Sequence, residues 1–343
     1  MVGRVQKAIV LLVLVLAAGP AAGGTARPLD SLAARLQETG ARAFAGREGW
    51  LFFTPEIRHL AAGEFWGPAA VSVSRATRPE AADPLPAILA FHSALEARGI
   101  HLLMVPVPAK ARIYPEYLPE PMRTSDVAGV HERFYAKLRS KGIAVLDPTE
   151  RLRAGREHHK GPVYCRQDSH WSGIACVLVA EKIAAAIREH LVPPAALLEM
   201  EAAWEKIALD GDLARLLPEP PAEREELNVR KIRSPRDGAL LPVEPDPHSP
   251  VVLLGDSHAL VFHAGGDMHA RGAGLADQLA CELGFAVDLV AVRGSGATPA
   301  RLNLFRRAQR DADYWEQKRV VVWCFSVREF TESDGWRVLP IEP

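Results

Sequence analysis

The sequence predicts an α/β fold in which helices alternate with the strands of a mostly parallel sheet. Three observations carry that prediction. Short apolar runs at 100–107, 143–147, 251–254, 285–292 and 319–325 have the length and composition of buried strands. Helix-length segments lie between several of them, and Gly99 and Gly142 stop two of those segments. The runs ending near 107, 254 and 292 lead into turns rich in Pro, Gly, Asp or Ser, as strands do at the ligand-binding edge of an open α/β sheet.

At 343 residues the chain suits one large domain or two modest ones. Lys plus Arg number 41 against 42 acidic residues, so a net charge of -1 offers no electrostatic footprint for nucleic acid, and none is expected as a partner. Arg4 and Lys7, the apolar run 8–18 and the small residues from Gly19 to Gly24 have the form of an export signal. Cleavage is expected between Ala21 and Ala26, leaving 25–343 as the mature domain; an uncleaved membrane anchor is the alternative. The run is short for a bilayer span, and no other stretch is apolar enough. An extracytoplasmic protein is therefore expected. Cys165, Cys176, Cys281 and Cys324 are too few for a disulfide scaffold. A local Cys165–Cys176 bridge is worth testing, whereas Cys281 and Cys324 suit small buried core positions. None has zinc-ligand spacing, and no metal is predicted.

Taken in order, 29–44 shows loose helical periodicity and leads through Gly46 to Gly49 into a short strand at 50–53. The segment 63–86, rich in Gly, Pro, Ala and Ser, reads as a long surface connection. An amphipathic helix at 88–98 precedes the strand 100–107, which ends in a Pro-stiffened loop bearing Lys110 and Arg112. Those two charges either face an anionic substrate or are ordinary solvated loop charges, the latter being the commoner case. A helix at 127–141 and the strand 143–147 continue the rhythm, which argues for right-handed crossovers. The run from Glu157 to Lys160 contains adjacent histidines in polar surroundings and is set aside as a metal site.

Asp168 and His170 lie two apart just before a long helix at 174–190. In extended or cap-like backbone such residues point to one side, so the carboxylate can hold the imidazole in one tautomer and free its other nitrogen to take a proton. The structural alternative is that Asp168 or Ser169 caps the helix while His170 packs beside Trp171. Prolines then crowd 192–250, which reads as a largely irregular excursion, a stiff loop or lid rather than a second domain. It delivers the chain to the strand 251–254 and the turn Gly255-Asp256-Ser257. A helix at 275–283, the strand 285–292, the turn Arg293-Gly294-Ser295-Gly296, a helix including 302–308 and the strand 319–325 complete the chain. The glycine-rich turn could offer backbone N–H groups to an oxyanion. It lacks the spacing of a dinucleotide or phosphate loop, and no cofactor is predicted.

Acyl transfer through serine needs a nucleophile, a base, a group that orients the base and donors for an oxyanion. Ser257, His170, Asp168 and the Ser257 N–H with the 294–296 loop supply those four. Gly255-Asp256-Ser257 resembles the nucleophile block of SGNH/GDSL esterases, and Asp168-Ser169-His170-Trp171 resembles the Asp-x-His-Trp block of the alginate O-acetyltransferase AlgJ/AlgX family. Gly46 to Phe52, Val105 to Pro115 and Val321-Val322-Trp323 with Arg328 match in manner, so the resemblance covers most of the mature chain.

The resemblance implies an SGNH hydrolase-like three-layer fold with a central, mostly parallel sheet and a permuted order of catalytic motifs, Asp and His before Ser. It implies a periplasmic enzyme that accepts acetyl groups from a membrane-bound O-acyltransferase and places them on a polysaccharide acceptor. Ser257 would form the acetyl-enzyme, His170 would act as base then acid, and Asp168 would orient it. Arg293, Gly294 and Gly296 are candidates for the oxyanion site by position, and Arg328 for substrate contact. Asp256-Ser257-His258 departs from the Thr-Ser-Tyr often found in alginate-family members, which leaves the polymer open. No appended carbohydrate-binding module is evident, as in the single-domain AlgJ-like members. A carbohydrate acetyl esterase and a noncatalytic polysaccharide-binding component are the other readings of the same chain.

Overall fold

The computed structural model describes residues 27–192 and 196–339, so the expected export signal, its cleavage site and Pro193-Pro194 lie outside the described residues. Two short strands, β1 (Ala43–Ala45) and β2 (Leu51–Phe53), pair antiparallel around Gly46 to Gly49. The central sheet comprises β3 (His101–Val107), β4 (Ala144–Val145), β8 (Val251–Gly255), β9 (Asp288–Ala291) and β10 (Val320–Ser326). Between β4 and β8 come β5 (Glu201–Leu209), β6 (Glu225–Arg236) and β7 (Ala239–Pro242). All five central strands run parallel in the order β4-β3-β10-β8-β9.

Every residue of β8 and β10 is buried, which is why both runs are continuously apolar rather than alternating. Each such Val or Leu contributes about 2 kcal/mol of burial. Trp323 meets Phe91 from the helix Pro84–Glu96 and Arg301 from the helix Thr298–Ala308 on one face. Cys324, its neighbour on β10, points to the other face, toward Cys176 of the helix Gly173–Ile187. The result is the expected three-layer α/β arrangement. The chain runs outward from β3 to β4 on one side and from β8 to β9 on the other, so the crevice beyond their carboxyl ends lies around β10.

Three expectations need correction. The Pro-rich stretch 192–250 is not largely irregular: β5, β6 and β7 form an antiparallel sheet packed on the helices Gly173–Ile187 and Leu275–Leu283. Apart from Pro235, the described prolines of this stretch sit at strand ends and in connections, where no ladder donor is needed. Asp237 (φ 53°) and Gly238 (φ 81°) make a two-residue hairpin turn between β6 and β7, an Asp-Gly signal that the proline count obscured. The segment 63–86 is not simply surface, for Phe65, Trp66 and Ala70 are core residues and short helical turns interrupt it. Cys165 and Cys176 form no bridge; all four thiols are free, and Cys281 is only half-buried.

Candidate active site

Ser257 opens a helical turn, Ser257–Ala259, immediately beyond the carboxyl end of β8. Gly255 is required there because a Cβ would come 2.3 Å from the Cys324 carbonyl oxygen of β10. As the first residue of that turn, Ser257 has an N–H with no acceptor inside it. His170 Nε2 lies 2.7 Å from Ser257 Oγ, and His170 Nδ1 lies 2.6 Å from Asp168 Oδ1. With Asp168 accepting from Nδ1–H, Nε2 is the acceptor for the serine hydroxyl.

Asp168 reaches His170 through the cap-like form of the i, i+2 arrangement, not along extended backbone. Residues 166–170 bend, and Oδ1 also accepts the His170 backbone N–H at 3.0 Å, so one carboxylate closes a local turn and holds the ring. Ser172, not Asp168 or Ser169, caps the following helix, accepting from Ile174 N–H. Burial would raise Asp168, but the charges and hydrogen bonds of His170 and His269 hold it well below the usual carboxylate range. Burial likewise opposes a charged His170, yet the Asp168 charge and hydrogen bond outweigh it and lift the imidazole above its usual value. The array favours Asp⁻ beside an imidazole of enhanced basicity.

A second Asp-x-His turn faces the first. Asp256 Oδ1 accepts from the His258 backbone N–H at 2.8 Å and lies 3.1 Å from His258 Nδ1, while Oδ2 accepts from Ser326 N–H. Burial alone would raise Asp256; His258, Arg328 and the Ser326 N–H bring it down to about 2. The His258 and His170 rings are 4.9 Å apart, and the Trp171 indole donates to the His258 carbonyl at 3.1 Å. The identical spacing of the two Asp-x-His pairs is visible in the sequence, where the first alone carries the functional expectation.

Lys110 faces neither substrate nor solvent. It is 1% exposed, and Nζ donates to the carbonyls of Leu51 at 2.8 Å, Arg166 at 3.4 Å and Asp168 at 2.5 Å, clamping the loop that carries Asp168. Arg112 is also buried, near Glu132 and Asp147. The antiparallel sheet braces the same loop: Glu225 accepts from Arg166 N–H and Gln167 N–H, and Asp212 accepts from Ser169 N–H and Oγ. Gly211 permits this, since a Cβ there would stand 1.9 Å from the Gln167 carbonyl oxygen. Asp168, His170 and Asp212 offer metal-capable atoms within 4.8 Å of one another. Each carboxylate oxygen already accepts a protein donor, so the cluster is a satisfied hydrogen-bond network.

The glycine-rich loop divides. Gly296 is buried against the nucleophile turn, where a Cβ would come 3.1 Å from Asp256 Cβ and 2.6 Å from Phe325 Cβ. Gly294 is exposed at φ 101°. The Arg293 side chain is engaged in a bidentate pair with Asp267, both contacts at 2.7 Å. Arg328 lies over the Phe53 ring with Nη1 3.9 Å from Glu56 Oε1. Its guanidinium balances Glu329, Asp256 and Glu56, which raise it despite burial.

Comparison with known proteins places the chain beside others of this architecture. A family model described as "SGNH hydrolase-like domain, acetyltransferase AlgX" matches residues 43–327. The chain is 29% identical over 177 residues to "Probable alginate O-acetylase AlgJ" of Pseudomonas aeruginosa, covering 51% of this chain and 41% of that one. It is 30% identical over 182 residues to the protein of the same name from Pseudomonas syringae pv. tomato, with the same coverage. It thus spans less than half the length of the curated relatives it matches. Among solved structures, the O-acetyltransferase domain of Pseudomonas putida AlgJ aligns with a TM-score of 0.61 at 23% identity, covering 85% of this chain and 92% of that one. Pseudomonas aeruginosa AlgX aligns at 0.58 and 16% identity, covering 83% and 62%.

Proposed function

Because the chain belongs to the AlgX family of SGNH hydrolase-like acetyltransferases, we propose that it transfers acetyl groups to an exopolysaccharide through an acetyl-Ser257 intermediate. The observation that carries this is the continuous hydrogen-bonded line from Asp168 through His170 to Ser257 Oγ, with contacts of 2.6 and 2.7 Å. His170 Nε2 takes the hydroxyl proton as Oγ attacks the acetyl carbonyl, then returns it to the departing group. In the second half, an acceptor hydroxyl gives its proton to the same nitrogen and attacks the acetyl carbon, and Ser257 leaves as the free hydroxyl. Asp168 holds the ring and stabilises the imidazolium formed in each half.

The oxyanion of each tetrahedral intermediate is assigned to the Ser257 N–H and an N–H of the 293–296 loop, which Gly296 brings against the nucleophile turn. Arg328 is assigned to the substrate side of the site, on its position beside Asp256 and Glu56. The alginate O-acetylase names of the relatives support a polysaccharide acceptor, and the Asp256-Ser257-His258 turn leaves its identity open. A periplasmic location and a membrane-bound O-acyltransferase as acetyl source complete the proposal. They rest on the form of the N-terminal sequence and on the family; no helix of the described residues is long and apolar enough to cross a membrane.

The test incubates the purified protein with a chromogenic acetyl ester, with and without oligosaccharide acceptors, and follows products by mass spectrometry. Acetylated sugar that vanishes in Ser257→Ala and His170→Ala is the expected result. Free acetate alone, whatever the acceptor, would make the protein an esterase. Absence of acetyl-Ser257 under every condition would overturn the covalent mechanism.

A further inference from the structure

Asp168 serves two imidazoles. Its Oδ1 is occupied by His170, while Oδ2 accepts from Asp212 N–H at 2.8 Å and from His269 Nε2–H at 2.9 Å. The His269 side chain is only 8% exposed and its ring lies tilted against Phe262, with centroids 5.9 Å apart. It arrives from the segment that follows the nucleophile turn, through a loop closed by a bridge between Ala264 and Arg271.

The backbone is bent into an uncommon conformation to bring it there. His269 has φ 73°, a value most side chains avoid, and Gly265 and Gly266 precede it at 71° and 60°. The Met268 N–H to Gly265 carbonyl and His269 N–H to Gly266 carbonyl bonds hold that bend at 3.0 Å each. Asp267, in the same bend, is gripped by Arg293 of the glycine-rich loop. One loop therefore joins the nucleophile segment, the oxyanion candidate loop and the orienting carboxylate.

We infer that His269 is a positioning residue for the acyl transfer proposed above, and the inference rests on that reading. Rotation of a carboxylate about its χ2 bond has a broad, roughly two-fold profile, and without His269 the Oδ2 of Asp168 would keep the Asp212 backbone N–H as its donor with no side chain to fix the plane. With Oδ2 held by His269 and the Asp212 N–H, the plane of Asp168 is set from both sides. Oδ1 then stays on His170 Nδ1 as charge builds on the ring. His269 touches neither Ser257 nor the reacting acetyl group in this scheme; it acts through Asp168.

The test measures steady-state hydrolysis or transfer of a chromogenic acetyl ester by the full chain, with Ser257→Ala alongside. His269→Ala should lower kcat by about tenfold to a hundredfold, the scale of a misplaced catalytic group, and leave KM essentially unchanged. His269→Gln, which keeps an N–H donor at the position of Nε2, should recover most of that loss. A wild-type kcat in His269→Ala, with Ser257→Ala inactive, would overturn the inference while sparing the acyl-serine mechanism. Equal impairment of His269→Ala and His269→Gln, tracking a fall in Tm, would make the contact structural and overturn it too. Full activity in Ser257→Ala would remove the covalent mechanism and this inference with it.

Discussion

The indole N–H of Trp171 donates to the backbone carbonyl of His258 at 3.1 Å. That single bond links the segment carrying the base to the turn carrying the nucleophile, across the gap that His170 and Ser257 also span. Trp171 is fully buried and its ring meets His258 edge-on at 5.4 Å. Trp171→Phe keeps an aromatic ring but removes the donor and leaves the His258 carbonyl without it. A stability loss of about 1–3 kcal/mol is expected in denaturant titration. Turnover should fall by up to about a hundredfold as the two segments shift apart.

Lys110 is a buried ammonium whose partners are three carbonyl oxygens and, at longer range, the Glu56 carboxylate. Burial pulls its pKa down, opposed by Glu56 and other acidic groups. Lys110→Met removes the donors and strands those carbonyls in the interior. The expected cost is about 3 kcal/mol, read as a lowered denaturation midpoint, with loss of activity because Asp168 is on the clamped loop. Lys110→Arg should not rescue either property, since a planar guanidinium does not reproduce a point donor in this pocket.

For the pH dependence, His170 must be neutral to accept the serine proton, and although burial opposes its charge, the Asp168 carboxylate raises its pKa above the ordinary imidazole value of 6.5. Activity should therefore fall as pH drops through a value above 6.5, seen as the acidic limb of kcat/KM. Asp168→Asn withdraws the charge that opposes burial, so the limb should move to lower pH. The rate at the plateau should drop by up to about ten-thousandfold, because the ring is no longer held in the productive tautomer.

Glu329 accepts a hydrogen bond from Ser295 of the glycine-rich loop, and burial, partly offset by Arg328, raises its pKa from 4.5 to about 7. The folded chain thus retains a proton that the unfolded chain releases near 4.5, and stability falls as pH rises from that value to about 7. Glu329→Gln, neutral throughout, should abolish this part of the decline. Denaturant titrations of both proteins at pH 5 and pH 8 check it: the wild type should lose more stability between the two than the variant.

Much of the central sheet is legible in the sequence. β8 and β10 are continuous apolar runs because both of their faces are covered, and the helix Leu275–Leu283 falls at the bounds expected of it. The antiparallel sheet was missed because prolines at strand ends look, in one dimension, like prolines that interrupt strands. The Asp237-Gly238 pair and the alternation of Leu227 and Val229 with polar residues carried local signals for it. The burial of Lys110 is illegible in the sequence for a related reason. A lysine in a loop is ordinarily solvated, and only the arrival of Leu51, Arg166 and Asp168 around it makes burial tolerable.

By itself the sequence determined the α/β rhythm, the strand that ends at Ser257 and the chemical types needed for serine acyl transfer, since these depend on composition and spacing within a few residues. Tertiary structure alone decided that His170 Nε2 meets Ser257 Oγ and that Asp212 and Glu225 brace the loop that carries Asp168. It also decided that His269 shares Asp168 with His170. Those contacts join residues far apart in the chain. Their geometry is set by how the sheet, the excursion and the loop after the nucleophile pack, and long-range packing leaves no periodic trace in the segments that it joins.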